Sequence, residues 1–200
     1  CALPISTFES MKVFTAERTP TTEDEIWLLQ HPPVYTQGLS GKAEHILDAG
    51  DIPVIHIDRG GQVTYHGPGQ WIAYVLYDLR RAGMTIRELV ERLEKAVVNL
   101  LADYGVAAYG DPGARGVYVQ GRKIAALGLK VSRGRSYHGL SLNVDMDLSP
   151  FAGINPCGYE GLEVTSVARE LGADQAVDFS ELGERLLYHL EQALPADRKS

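Results

Sequence analysis

Short apolar stretches rich in β-branched and aromatic residues recur along the chain at residues 25–30 (EIWLLQ), 53–57 (PVIHI), 71–77 (WIAYVLY) and 117–120 (VYVQ). Gly, Pro or Asp bounds them, a pattern that predicts strands. Residues 124–131 (IAALGLKV) and 137–144 (YHGLSLNV) flank Ser132, Arg133, Gly134 and Arg135, which predicts a hairpin. The period changes at Thr85. Leu89, Leu93, Val97, Leu100 and Leu101 recur at helical spacing, Thr85 and Glu88 make a capping box, and Gly105 ends the run. A second helix is predicted from Ser180 to Leu194, with Leu182, Leu186, Leu187, Leu190 and Leu194 inward and Pro195 after it. Runs of strands, a covering helix, more strands and a final helix predict an α+β fold rather than a regular doubly wound sheet. No repeat or low-complexity tract interrupts the chain, so residues 1–200 read as a single domain.

The 200 residues are 44% hydrophobic, enough for a core that buries roughly 70% of the unfolded surface. Lys plus Arg number 19 against 26 Asp plus Glu, and the net charge of −7 argues against a general nucleic-acid binder. No apolar run approaches the ~18 residues that span a bilayer, and the N-terminus has neither a basic start nor a long apolar stretch. These features predict a soluble cytoplasmic protein. A start at Cys1 rather than Met reads as trimmed. Cys1 and Cys157, the two cysteines, are too few for a disulfide framework or a zinc cage and are expected to be reduced. His31, His45, His56 and His189 fit no metal-ligand spacing, and no metal is expected.

Candidate chemistry concentrates in three places. Residues 59–70 (RGGQVTYHGPGQ) carry five residues of Gly or Pro around a strand-like core, so a ligand or another backbone can approach closely. The plainer reading is a tight hairpin with His66 capping a turn. No helix follows as a dinucleotide fingerprint requires, and GLSGKAEH at 38–45 lacks the spacing of a phosphate loop. Cys157 lies between Pro156 and Gly158 on a turn that can present a thiol, although a lone cysteine is also a common inert core residue. Lys123 precedes the apolar run Ile124–Leu129. It reads either as a solvated strand end or as a partly buried amine whose depressed pKa makes it a neutral base. His138 reads as a core histidine.

The sequence closely resembles the lipoyl(octanoyl)transferases. The resemblance rests on HPPVYTQG from His31, GKAEHIL from Gly41, DRGGQVTYHGPGQ from Asp58, GVYVQGRKIAALGLKV from Gly116, SYHGLSLNVDMDLSPF from Ser136 and INPCGYEGLEVTS from Ile154. It implies a mixed sheet flanked by helices, as in the catalytic domains of biotin protein ligase and lipoate ligase. It also implies an acyltransferase that moves an octanoyl group from octanoyl-acyl carrier protein to a lysine of lipoyl domains. Cys157 is then the acyl-thioester nucleophile and Lys123 the residue that lowers its pKa. Arg59, Gly60, Gly61, Gln62, Val63, Thr64, Tyr65 and His66 become acyl-substrate contacts, as do Ala126, Leu127 and Gly128, and Gly139, Leu140 and Ser141. The N-terminus is shorter than the family's usual opening strand and helix, which leaves the first edge strand less supported.

A thioester is an activated donor, so no cofactor or nucleotide is expected. Backbone N–H groups near Gly128 or Gly158 are the candidate oxyanion donors. The apolar residues around 72–76 and 126–129 are expected to wall the acyl chain. Lys130, Arg133 and Arg135 on the hairpin turn read either as a docking patch for an acidic carrier at the pocket mouth or as a solvated basic turn. The alternatives are a cysteine hydrolase using His66 or His138 as base, a non-catalytic acyl-chain binding module, and an ATP-dependent lipoate ligase.

Overall fold

The apolar runs assemble into two sheets. The computed structural model describes residues 4–173 and 175–194; Cys1 and Pro195, and what was expected of them, lie outside the described residues. The strands are β1 (Glu25–Leu29), β2 (Val34–Gln37), β3 (Val54–His56), β4 (Val63–His66), β5 (Gln70–Leu76), β6 (Tyr109–Gly110), β7 (Val117–Val119), β8 (Arg122–Ser132) and β9 (Arg135–Asn143). Six of them form an antiparallel sheet in the order β1-β5-β9-β8-β7-β6, and β3-β2-β4 form a smaller sheet with one parallel and one antiparallel pairing. The helices are α1 (Pro4–Glu17), α2 (Leu79–Ala82), α3 (Ile86–Asp103), α4 (Val167–Leu171) and α5 (Phe179–Ala193). This is the expected α+β architecture, a mixed arrangement of strands flanked by helices. Among the described residues no helix is long and apolar enough to cross a membrane.

One face of the large sheet supplies the main core. Ala73, Val75, Leu140 and Leu142 pack against Leu89, Leu93, Val97 and Leu100 of α3 and Leu182, Leu186 and Leu190 of α5. The predicted capping box is present, with the Thr85 hydroxyl accepting from Glu88 N–H and Glu88 accepting from Thr85 N–H. Burying such leucines contributes about 1.5–3 kcal/mol each. Leu187 is only partly buried, because it lies at the margin of the α5 stripe. The opening helix, for which the N-terminus read as short, is present as α1. It covers the opposite face, where Met11 packs with Leu76 and Tyr137. Phe8, Met11 and Phe14 are spread too thinly among Ser, Thr and Lys to announce it in the sequence.

Strict alternation along β8 and β9 would send two important side chains to the helix side, and two local irregularities redirect them. Tyr118 pairs with Lys123 while Val117 pairs with Ala125, so Ile124 is an extra residue on β8. That bulge restores Lys123 to the face opposite the main core. On β9, His138 has a φ of 60°, a left-handed conformation that brings its ring beside that of Tyr137. A non-glycine residue held there costs on the order of 1–3 kcal/mol.

Gly139 allows the close approach of β5 to this distorted strand: a Cβ built on it would lie 1.9 Å from the Ala73 carbonyl oxygen. Gly139→Ala should therefore destabilise the fold by about 3 kcal/mol, the upper part of the overpacking range. Urea unfolding would show this as a lower midpoint at unchanged slope, and an unchanged midpoint would mean the strands separate freely.

Candidate active site

The sheet face opposite the main core, β4 and the turn carrying Cys157 enclose a cleft with about 190 Å³ of free volume. Ile57 and Ile72 contribute apolar lining, while Arg115, Lys123, Cys157 and Tyr159 gather at one end. The β-register places Ala126 beside Ser141 and Gly128 beside Gly139, so the floor beyond Lys123 is made of small residues. Arg59, His66, Tyr74 and His138 supply polar groups further along.

Cys157 sits in a short 3-10 turn, Pro156–Gly158, and its φ of 56° puts it in the left-handed region. The turn is fastened on both flanks. Asn155 N–H donates to His45 C=O at 2.8 Å, and the strand-like segment around Val164 pairs with Lys123 through Lys123 N–H to Glu163 C=O and Thr165 N–H to Lys123 C=O, each 2.9 Å. The thiol is thereby set beside the lysine: Lys123 Nζ lies 3.1 Å from Sγ and donates also to Arg115 C=O at 3.1 Å. The ammonium stands 5.1 Å from the Tyr118 ring centroid. Burial lowers the Lys123 pKa, but Cys157 and Tyr118 outweigh it and the net shift is upward. The upward direction runs against the expected depression of this pKa, because the two neighbours favour the ammonium more than burial penalises it.

Arg59 begins a second polar system. Its buried guanidinium donates to Thr36 C=O at 2.6 Å and to Thr36 Oγ1 at 3.0 Å. Gln70 Nε2 donates to Tyr65 C=O and Asn143 Oδ1, and Asn143 Nδ2 donates to Thr165 C=O, which leaves Gln70 Oε1 as the acceptor facing His66 Nδ1 at 2.8 Å. His66 therefore carries its proton on Nδ1, and its bare Nε2 accepts from the Thr36 hydroxyl at 3.2 Å. Burial, helped by Arg59, pushes the His66 pKa down to about 3. Burial also lowers Arg59, to about 10, against the pull of Cys157. His66 is thus neither a turn cap nor a free base: both ring nitrogens are committed.

His138 is the second histidine of the cleft. Its Nε2–H donates to Asp58 at 2.9 Å, while the other Asp58 oxygen accepts from Tyr137 Oη at 2.5 Å. Burial lowers the His138 pKa, and Asp58 only partly opposes that. Phe8 of α1 stacks on the ring at 5.5 Å. The sequence did not single out Asp58, Arg115, Tyr118 or Tyr159, because nothing local marks a residue that a bulge or a fold-back brings into place.

Of the residues singled out from the sequence, Arg59, Gly61, Gln62, Val63, Thr64, His66, Lys123, Ala126, Leu127, Gly128, Gly139, Leu140, Ser141 and Cys157 line the cleft. Two do not. Tyr65 faces the other side of β4, packing on Tyr35 and Phe151, and Gly60 donates its N–H to Leu129 C=O. Of the proposed walls, Ile72 and Tyr74 face the cleft while Ala73 and Val75 belong to the main core. The Gly158 N–H donates to Asn155 C=O at 2.9 Å, so that donor is already engaged. Of the basic residues at the hairpin, Lys130 acts on Asp58 and on His138 of the cleft, while the two arginines lie away from the Cys157 end. Arg133 lies ten residues beyond Lys123, roughly 30 Å in a strand, and Arg135 is paired with Asp78. Lys42 in the glycine-rich stretch at 38–45 is exposed and pairs with Glu44. Among the described residues, no cluster of three His, Cys, Asp or Glu side chains is arranged to hold a metal ion.

The family model for the lipoyl protein ligase A/B catalytic domain matches residues 5–191. Solved structures agree on the fold. Lipoate-protein ligase A bound with ATP superposes with a TM-score of 0.73 at 18% identity, covering 94% of this chain and 80% of that one. A bipartite lipoate protein ligase from Thermoplasma acidophilum gives 0.72 at 18% identity, covering 94% and 79%. A biotin protein ligase from Aquifex aeolicus gives 0.50 at 12% identity, covering 79% and 68%. The class is thus a lipoyl protein ligase A/B catalytic domain. The octanoyltransferase of Pseudomonas putida strain W619 is 57% identical over 187 residues, covering 92% of this chain and 86% of that protein. The octanoyltransferase of Chromobacterium violaceum is 52% identical over 194 residues, covering 97% and 92%. Within that class, the chain belongs to the octanoyltransferase family and is an acyltransferase.

The neutral, buried state of His66 has a consequence for acid stability. Its folded pKa of about 3 lies below the ordinary value near 6.5, so between these limits the unfolded chain binds the extra proton. The stabilisation is fully present above about pH 6.5 and is lost as pH falls toward 3. Urea unfolding from pH 7 to pH 4 should show a steeper loss of stability in the native protein than in His66→Asn. Parallel slopes would place the titration elsewhere.

Proposed function

We propose that the cleft transfers an octanoyl group from octanoyl-acyl carrier protein to a lysine of lipoyl domains through a thioester on Cys157. The observation that carries this reading is the 3.1 Å contact between Lys123 Nζ and Cys157 Sγ at the end of an apolar cleft. In the resting site the proton resides on Lys123, opposite the thiolate of Cys157. Sγ attacks the donor carbonyl, the carbon–sulfur bond to the carrier breaks, and the departing carrier thiolate takes the Lys123 proton. An incoming neutral lysine amine then attacks the octanoyl-cysteine. It forms the amide, returns one proton to Lys123 and releases Cys157 as the thiolate, so the ion pair is regenerated. No nucleotide enters this cycle, because the donor is already activated. A single catalytic domain and a reducing compartment, the cytoplasm, suit a mechanism that needs one free thiol.

Arg59, Gly61, Gln62, Val63, Thr64 and His66 from the glycine-rich segment would contact the acyl substrate together with Ala126–Gly128 and Gly139–Ser141. The hydrolase alternative has less support, since both nitrogens of His66 are committed to Gln70 and Thr36, and the group hydrogen-bonded to the Cys157 sulfur is Lys123 rather than a histidine.

Two measurements test the proposal. Mixing the protein with octanoyl-acyl carrier protein in nucleotide-free buffer should raise its intact mass by one octanoyl group at Cys157, and Cys157→Ser should abolish transfer. Acylation elsewhere, or activity only with ATP, would overturn it. Ala126→Leu, which adds bulk to the floor, should reduce octanoyl transfer more than transfer of a shorter chain. Equal losses would remove Ala126 from the acyl path.

A further inference from the structure

Residues 111–116 turn three successive carbonyl groups toward the thiol end of the cleft. Gly113 C=O accepts from Tyr159 Oη at 3.5 Å, Ala114 C=O from Tyr118 Oη at 2.5 Å, and Arg115 C=O from Lys123 Nζ at 3.1 Å. Each of these donors belongs to, or lies against, the Lys123–Cys157 pair. The loop therefore sets the position of the ammonium, but it carries little apolar anchorage of its own, with Asp111, Pro112, Gly113, Ala114 and Arg115 all outside the core.

What anchors it comes from α3. Glu94 is only 5% exposed, on a helix whose other buried positions are apolar, and Gly110 and Gly116 bracket its carboxylate. One oxygen accepts from Gly116 N–H at 2.9 Å and the other pairs with Arg115 at 3.3 Å. Gly116 has a φ of 142°, and a Cβ there would lie 2.9 Å from Lys123 Cε, so this residue both receives the anchor and makes room for the lysine stem. A buried carboxylate on an apolar helix face is destabilising unless it is paired, which calls for a use.

We propose that Glu94 is a positioning residue for the Lys123–Cys157 pair, acting through the 111–116 loop. It fixes Arg115 C=O, the acceptor that keeps the Lys123 ammonium aimed at Sγ. The inference rests on the pairing proposed above, and the experiment separates the two.

The test follows alkylation of the Cys157 peptide by iodoacetamide against pH, using mass spectrometry, in the native protein, Lys123→Met, Glu94→Ala, Glu94→Gln and the Glu94→Gln/Lys123→Met double variant. Lys123→Met should move the midpoint up, and Glu94→Ala should move it in the same direction by about half a unit or more. Glu94→Gln, which keeps an oxygen for Gly116 N–H, should move it less. Should Glu94→Ala fail to fold, the Glu94→Gln shift should vanish in the Lys123→Met background. A Lys123→Met shift with unmoved Glu94 profiles would overturn the role of Glu94. A Glu94→Gln shift that persists without Lys123 would do the same. A flat Lys123→Met profile would remove the pairing itself, and this inference with it.

Discussion

Lys123 is 3% exposed, a buried ammonium needs partners, and the arrangement around this residue is organised by that requirement. Burial pushes the Lys123 pKa down, Cys157 and Tyr118 raise it, and Nζ also donates to the Arg115 carbonyl. Each partner comes from a different part of the chain. The strand pairing, the loop before β7 and the Cys157 turn must all be correct for the cation to be tolerated. The electrostatics of the buried amine therefore penalises a misassembled version of the site.

The other buried cation of the cleft, Arg59, follows the opposite logic. Its partners are the neutral groups of Thr36 and a backbone carbonyl, so its charge is dispersed rather than paired. The hydrogen-bond chain through Thr36, His66, Gln70 and Asn143 has a fixed direction, because it ends on backbone carbonyl groups that can only accept. A proton added to His66 would meet a guanidinium at one end and break the chain. The cleft thus contains an amine set beside a thiol and a histidine locked in its neutral form, with small residues forming the floor beyond the amine.

Much of this was legible in the sequence where the signal is local. The α3 helix with its Thr85 cap, the α5 stripe, the β8–β9 hairpin and the presentation of Cys157 on a turn all follow from spacing and residue type. The family resemblance then selected Lys123 as the partner of Cys157. The remainder depends on contacts that no short window contains. The Ile124 bulge and the left-handed His138 each reverse a side-chain direction, and alternation alone would have sent Lys123 and His138 into the main core. Tyr65 and Gly60 fell within a contiguous run of expected contacts, but alternation turns Tyr65 away and the backbone of Gly60 serves β8. The basic hairpin tip looked close to the site in the sequence because hairpins shorten distances between strands, whereas distance along a strand accumulates.

The Cys157 turn is fastened at Asn155 on one side and at Glu163–Thr165 on the other, leaving Tyr159 to Leu162 as an outward lap whose backbone bonds are mostly its own. Such a lap behaves like a handle on a hinged plate: its outline can change while both hinges stay fixed. Insertions around Glu160 and Gly161 would then remodel this part of the cleft rim without shifting the sulfur atom. Outline and anchorage are in this way assigned to neighbouring stretches of chain that can diverge at different rates.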